Sequence, residues 1–318
     1  MVALLPRGLA HGGMPTSVRA TACTNADEST TQAVRMVEAP MFNRLRHVFR
    51  VAIPLRYHIL RFVDQRLDVL PYPLKLDYNT IERPWYGHGL LHAAKLARKL
   101  GYKQISAIEF GVAGGNGLLV LERHAAHVTR ETGVDVAIFG FDTGKGMPQP
   151  QDYRDMPYMW QAGYFAMDHD LLRTRLQSSK LLLGPVETTL RTFFEKESPP
   201  PIGFISFDLD YYSSTVSALK VFEAEHKYLL PRVACYIDDM VGDVDWAYNE
   251  FAGELLAIKE FNAAHEHVKV APVQGLRFYL GRLPQVWHEQ VFVAHMFMHP
   301  DYNRPISEIT QLPLSDAA

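Results

Sequence analysis

The stretch that decides the fold is SAIEFGVAGGNG, residues 106–117. It opens with a short apolar run, residues 107–110, that contains one acid, Glu109, and this pattern is typical of a buried strand. Four glycines follow within seven residues, and a helical pattern begins at residues 118–121. Glycine permits the tight turn and the close approach of a ligand to the backbone that such a loop requires. Strand, glycine loop and helix in this order predict the first unit of a nucleotide-binding α/β sheet.

The spacing of the glycines does not match the dinucleotide fingerprint, which has glycine at its first, third and sixth positions. Counted from Gly111, the third position is Ala113 and the sixth is Asn116. A looser pattern, acid-x-Gly-x-x-x-Gly, fits with Glu109, Gly111 and Gly115, and it is typical of loops that hold S-adenosylmethionine, which has no pyrophosphate. A tight turn without any ligand is the alternative interpretation.

Five apolar runs, each followed by helical sequence, predict a parallel, doubly wound α/β sheet. The runs are residues 107–110, 134–141, 180–183, 202–207 and 233–237. Two further segments, 268–272 and 276–280, are joined by a short turn and therefore predict an antiparallel hairpin. The expected fold is a mostly parallel, seven-stranded, Rossmann-like sheet.

The remaining segments give the predicted domain organisation. We expect a disordered tail at 1–38, a helical N-terminal extension at 39–100, the sheet domain at 101–284 and a C-terminal extension at 285–318. Residues 40–70 interleave arginines with apolar residues, so they predict helices that cap the domain or join copies of the chain; a membrane surface or an acidic partner is the alternative.

Overall composition excludes several classes of protein. The chain has 318 residues and a net charge of −3, so no nucleic-acid surface is expected. It contains no run of 18 apolar residues, so no transmembrane span is expected. The two cysteines, Cys23 and Cys235, lie far apart in unlike surroundings, which favours a reducing, cytoplasmic location.

Acids follow four of the predicted parallel strands. They are Glu109, Asp142, Asp208, Asp210, Asp238 and Asp239. Ligands bind at the carboxyl edge of such sheets, and helix capping explains only one acid at each strand end. Six carboxylates at one edge would repel each other unless positive charge lies among them.

Two roles are predicted for these acids. Asp142 suits the hydroxyls of a ribose, because a carboxylate accepts hydrogen bonds from two adjacent hydroxyls; capping of the following loop is the alternative. Asp210, Asp238 and Asp239 suit a divalent cation such as Mg²⁺, which prefers oxygen ligands.

Four motifs resemble those of the class I S-adenosylmethionine-dependent O-methyltransferases of the macrocin (TylF/MycF-like) group. They are EFGV at 109–112, FDTGKGMP at 141–148, DLDYYSST at 208–215 and IDD at 237–239. The resemblance spans residues 105–281. It implies an enzyme that transfers a methyl group to a sugar hydroxyl, with Mg²⁺ held by Asp210, Asp238 and Asp239.

The general base is less clear from the sequence. Catechol O-methyltransferases, which the step from Asp210 to Asp238 also resembles, have a lysine three residues after the first metal aspartate. Here that position is Ser213, a poor base, so Asp210 itself is the candidate catalytic residue. The aromatic stretch at 153–165 is predicted to cover the site as a lid.

The sequence therefore predicts a complete site. The cofactor-binding set for S-adenosylmethionine is Glu109, Gly111, Ala113, Gly115, Asp142 and Asp208. The partner is a small-molecule hydroxyl acceptor, such as a sugar, a glycoside or a phenol. A nicotinamide-dependent oxidoreductase and a non-catalytic protein that retains the fold stay open as alternatives.

Overall fold

A computed structural model describes residues 55–278 and 284–307. Its centre is one seven-stranded sheet with the order β3-β2-β1-β4-β5-β7-β6. The strands are β1 Gln104–Phe110, β2 Asp135–Asp142, β3 Lys180–Leu183, β4 Ile202–Phe207, β5 Leu229–Ile237, β6 Val268–Pro272 and β7 Val291–Met296. Strands β1 to β5 pair in parallel, and β7 is antiparallel to both β5 and β6. This is the sheet of the class I methyltransferase fold, which confirms the predicted fold class.

The predicted terminal hairpin was wrong. Residues Leu276–Phe278 form a 3₁₀ turn, and residues 279–280 lie outside the described part of the chain. The strand that pairs with β6 is Val291–Met296, which lies between β5 and β6 and bonds to both. Its β-branched and aromatic residues suit this doubly paired, largely buried position. The sheet therefore extends beyond residue 284, where the sequence placed the end of the domain.

Helices cover both faces of the sheet. They are α1 Leu55–Leu67, α2 Tyr72–Asp77, α3 Pro84–Leu100, α4 Asn116–Thr132, α5 His169–Arg175, α6 Val186–Glu197, α7 Tyr212–Leu219 and α8 Gly253–Ala264. Side chains of α3 and α4 pack on one face, around Phe204 and Ala107. Side chains of α6, α7 and α8 pack on the other, around Phe110 and Phe207. This double winding leaves the carboxyl ends of the parallel strands open at one edge.

The predicted helix over 246–261 begins later than expected, at Gly253. The reason is local. The side chain of Asn249 accepts a hydrogen bond from the Phe251 N–H at 2.8 Å and donates one to the Ala247 carbonyl at 2.8 Å. Such a side-chain turn competes with helix formation, so residues 246–252 form a loop, which leaves Trp246 beside the candidate site.

Helices α1 to α3 lie in the predicted N-terminal helical extension, residues 39–100. Residues 1–54, which include the predicted disordered tail, lie outside the described part of the chain. Helices α1 and α2 are joined by a buried ion pair between Lys75 and Asp64, 2.9 Å apart, and Asp64 also accepts from Thr80 Oγ1 at 2.5 Å. Within the described ranges, every helix is too short or too polar to cross a lipid bilayer. A role of these helices in joining copies of the chain stays a prediction.

Candidate active site

A cavity of about 440 Å³ opens at the carboxyl edge of β1, β2, β4 and β5. Most of the predicted site residues line it: Gly111, Ala113, Asp142, Asp208, Asp210, Asp238 and Asp239. Glu109 and Gly115 belong to the predicted cofactor set but are not part of its wall. The strand order brings the glycine loop and the acids together, as the sequence analysis expected for a parallel sheet.

Gly111 brings the β1 loop into contact with the β4 loop. Its φ is +87°, and a Cβ atom at this position would lie 1.7 Å from the Asp208 carbonyl oxygen. Any side chain here would collide with backbone, so the glycine is required by the close approach of the two strands' ends. The consequence is a cavity wall in which Gly111 and Asp208 are neighbours.

Asp142 shapes the neighbouring wall. Its Oδ2 accepts a hydrogen bond from the Ala113 N–H at 2.9 Å, and its Oδ1 accepts one from the Gly144 N–H at 2.6 Å. A carboxylate offers about four acceptor positions, so each oxygen retains one for a ligand. The predicted alternatives of loop capping and ligand binding are therefore compatible in this residue.

Gly115 and Glu109 have structural roles outside the cavity. A Cβ atom on Gly115 would lie 2.2 Å from Leu172 Cδ1, so this glycine permits α5 to pack against the start of α4. Glu109 is buried; its Oε1 accepts a hydrogen bond from the Tyr86 hydroxyl at 2.7 Å, and its Oε2 finds no partner among the described residues. Burial raises the pKa of Glu109 to about 7.

The acids beyond β4 and β5 form a tight cluster. One carboxylate oxygen each from Asp208, Asp210 and Asp239 lies within 4.8 Å of the others, and we call these three residues the acid triad. The Tyr248 hydroxyl donates to Asp239 Oδ1, whereas Asp239 Oδ2 is buried without a hydrogen-bond partner among the described residues. The triad therefore contains an acceptor that the protein does not satisfy.

The protonation equilibria show how unfavourable the charged triad is. Burial and then the charge of Asp239 raise the pKa of Asp210 to about 10. Burial raises the pKa of Asp239 to about 6, and burial together with Asp238 raises that of Asp208 well above its ordinary value. Repulsion of this kind is relieved either by protons or by a bound cation.

Asp238, which the sequence grouped with Asp210 and Asp239, is not one of the triad. Its Oδ1 accepts a hydrogen bond from the Tyr236 hydroxyl at 2.8 Å, and its carbonyl accepts one from Gln290 Nε2 at 2.5 Å. Asp238 still lines the cavity, and its charge contributes to the raised pKa of Asp208. Asp208, which the sequence assigned to the cofactor, is the third member instead.

Asp155 joins the connection between β2 and α5 to the first turn of α7. This buried residue accepts from the Ser213 N–H at 2.8 Å, from Ser213 Oγ at 3.0 Å and from the Gln151 N–H at 2.8 Å. Ser213, at the position of the catechol enzymes' lysine, is thus engaged in a structural contact. The sequence analysis did not single out Asp155, because no motif surrounds it.

Aromatic side chains close the outer part of the cavity. Trp160 and Phe165 of the predicted lid line it together with Trp246, whose ring meets that of Trp160 edge-on at 5.9 Å. The Tyr158 hydroxyl donates to the Trp246 carbonyl at 3.2 Å, which ties the two segments together. Trp246 was missed because the sequence assigned it to a helix.

No protein-family model matches the chain, and no curated protein matches it. Among solved structures, the calicheamicin methyltransferase CalS11 is 22% identical over 73% of this chain and 87% of that chain, with a TM-score of 0.43. An O-methyltransferase from Bacillus cereus in complex with SAH is 15% identical over 78% of this chain and 94% of that chain, with a TM-score of 0.36. The fold assignment therefore rests on the strand order itself.

The raised pKa of Glu109 makes a prediction about stability. The pKa of Glu109 is about 7 in the folded protein and 4.5 for an ordinary glutamate. Between pH 4.5 and pH 7, Glu109 is therefore protonated in the folded protein but ionised in the unfolded chain. Stability should therefore fall as the pH rises from about 4.5 to about 7 and then level off with respect to this group. Glu109→Gln should remove this pH dependence. The free energy of unfolding of the variant, measured in urea, should therefore rise relative to that of the wild type as the pH increases across this window. A constant difference between the two proteins would contradict the assignment.

Removal of the Asp155 contacts should loosen the lid. Asp155→Ala leaves the half-buried Ser213 N–H without its acceptor, which costs about 1 kcal/mol. We expect faster amide hydrogen exchange at Gln151 and Ser213 in this variant. Asp152→Ala, which removes an exposed acid that pairs with Arg154, is the matched control and should leave exchange at Ser213 unchanged. Equal protection of Ser213 in both variants would show that Asp155 does not hold the segment.

Proposed function

We propose that this protein is an S-adenosylmethionine-dependent O-methyltransferase that uses Mg²⁺ and methylates a hydroxyl group of a small-molecule acceptor. The observation that carries the proposal is the presence of two complementary walls in one cavity. The glycine loop and Asp142 form one wall, and the acid triad forms the other. The macrocin-type motifs favour a sugar or glycoside as acceptor, with a phenol as the other option.

The first wall would hold the donor. Gly111 and Ala113 offer backbone without bulky side chains, and Asp142 retains an acceptor position on each oxygen for the ribose hydroxyls. Asp208, beside Gly111, completes this end of the cavity. S-adenosylmethionine, when bound, supplies an activated methyl group for attack by an oxygen nucleophile.

The second wall suits a divalent cation. The triad consists only of carboxylates, its acids are mutually destabilised, and Asp239 Oδ2 lacks a partner among the described residues. Hard oxygen ligands of this kind favour Mg²⁺ or Mn²⁺ over softer metals. A cation bound there would supply positive charge that makes an acceptor hydroxyl more acidic.

The chain's own groups then perform the remaining tasks. Asp210 lines the cavity and, in the ionised form that a cation on the triad would favour, is our candidate to accept the proton of the acceptor hydroxyl. Trp160, Phe165 and Trp246 exclude water and orient the acceptor against the triad. Because methyl transfer proceeds in line, correct placement of the two reactants provides much of the rate enhancement.

The alternatives explain fewer of these features. A nicotinamide-dependent oxidoreductase would require a glycine pattern that Ala113 and Asn116 interrupt, and it gives the acid triad no task. A non-catalytic binding protein would not require an unsatisfied carboxylate oxygen beside an aromatic-walled cavity.

Calorimetry and a methyl-transfer assay together test the proposal. The wild type should bind S-adenosylmethionine and should transfer labelled methyl to members of a panel of glycosides and phenols, with loss of transfer on addition of a chelator. Asp142→Ala should weaken donor binding by roughly tenfold or more, because it removes charged hydrogen bonds. Asp210→Asn should retain donor binding but lower the turnover number by about 10²-fold or more.

Two results would contradict these assignments. Tight binding of NADH with no binding of S-adenosylmethionine would favour the oxidoreductase. Loss of donor binding in Asp210→Asn, with Asp142→Ala unaffected, would reverse the roles given to the two walls.

A further inference from the structure

A buried acid outside the triad, Glu254, contacts the backbone of the loops that carry the triad. It is in the first turn of α8, and the side chain is completely inaccessible to solvent. It is not part of the cavity wall. No motif in the sequence marks Glu254, and the proposed reaction as described above does not use it.

The contacts of Glu254 join the two loops that carry the triad. Its Oε1 accepts a hydrogen bond from the Leu209 N–H at 3.2 Å, and its Oε2 accepts one from the Asp239 N–H at 3.3 Å. Leu209 lies between Asp208 and Asp210, after β4, whereas Asp239 follows β5. A single carboxyl group therefore bridges the two loops that supply the triad oxygens.

The backbone around Glu254 is closely fitted to the same loops. Asp210 has a φ of +59°, a left-handed conformation that is unfavourable for a non-glycine residue and must be imposed by its surroundings. A Cβ atom on Gly253 would lie 3.6 Å from the Asp210 carbonyl oxygen, so the start of α8 abuts this strained residue.

We infer that Glu254 is a positioning residue that fixes the geometry of the acid triad and thereby its affinity for a divalent cation. This inference rests on the proposed function, which assigns the cation to the triad. Ligands that are held in place before the metal arrives lose less freedom on binding, and groups that orient metal ligands commonly contribute 10–100-fold in affinity.

Both oxygens of Glu254 are needed as acceptors. A glutamine has the same shape, but its amide nitrogen would face one of the two N–H donors and leave that donor unpaired. Glu254→Gln should therefore release either the Leu209 loop or the Asp239 loop while it preserves the packing volume.

The test measures binding of Mn²⁺ to the full-length protein by titration calorimetry and electron paramagnetic resonance. Glu254→Gln should raise the dissociation constant of Mn²⁺ by about tenfold or more, while that of S-adenosylmethionine changes by less than about twofold. Glu260→Gln is the matched control on the same helix: Glu260 is exposed and accepts from the Tyr212 hydroxyl. This control should bind Mn²⁺ as the wild type does.

The outcomes separate this inference from the proposed function. Wild-type Mn²⁺ affinity in a folded Glu254→Gln variant would overturn the inference alone. A wild type that binds no Mn²⁺ would overturn both the inference and the proposed metal, whereas binding of S-adenosylmethionine reports on the donor wall independently. If Glu254→Gln does not fold, Glu254→Asp replaces it; this variant keeps the carboxyl group but is too short to reach both loops, and unchanged Mn²⁺ affinity there would also overturn the inference.

Discussion

Electrostatic repulsion among closely spaced carboxylates is the constraint on which the rest of the site depends. Asp208, Asp210 and Asp239 lie close enough for one carboxylate oxygen of each to be within 4.8 Å of the others, and burial opposes their ionisation. Paired or buried acids persist in proteins when protons, hydrogen bonds or cations compensate them. The Tyr248 hydroxyl provides part of the compensation by donating a hydrogen bond to Asp239, and a bound cation would provide the rest.

The parallel sheet explains why these acids meet at all. Residues that follow β1, β2, β4 and β5 lie at one edge because the strands run in the same direction. For this reason the sequence alone could predict the fold class and most of the cavity wall. The glycine pattern was informative in the same way, although only Gly111 of its two glycines lies at the cavity, whereas Gly115 accommodates Leu172. A glycine in such a motif marks a position where another group approaches the backbone closely. That group can be a packed side chain, such as Leu172, as well as a ligand.

The errors have identifiable physical causes. Strand β7 was missed because its pairing with β5 and β6 brings together segments that are not adjacent in sequence. The short turn at Gln274 and Gly275 instead suggested a hairpin between neighbouring segments. The assignment of Asp238 to the metal stays a prediction, whereas the tight cluster in the structure has Asp208 beside Asp210 and Asp239. Asp155 and Glu254 have no local motif, because each acts by accepting backbone N–H groups from segments distant in sequence.

The most direct measurement of the central claim is the anomalous scattering from a crystal of the protein grown with Mn²⁺ and S-adenosylhomocysteine. The account predicts one strong anomalous peak bounded by oxygens of Asp208, Asp210 and Asp239, at metal–oxygen distances of roughly 2.0–2.3 Å, with the nucleoside beside Asp142. A peak held by Asp238 with Asp208 turned away, or triad side chains that diverge without any peak between them at millimolar Mn²⁺, would contradict it.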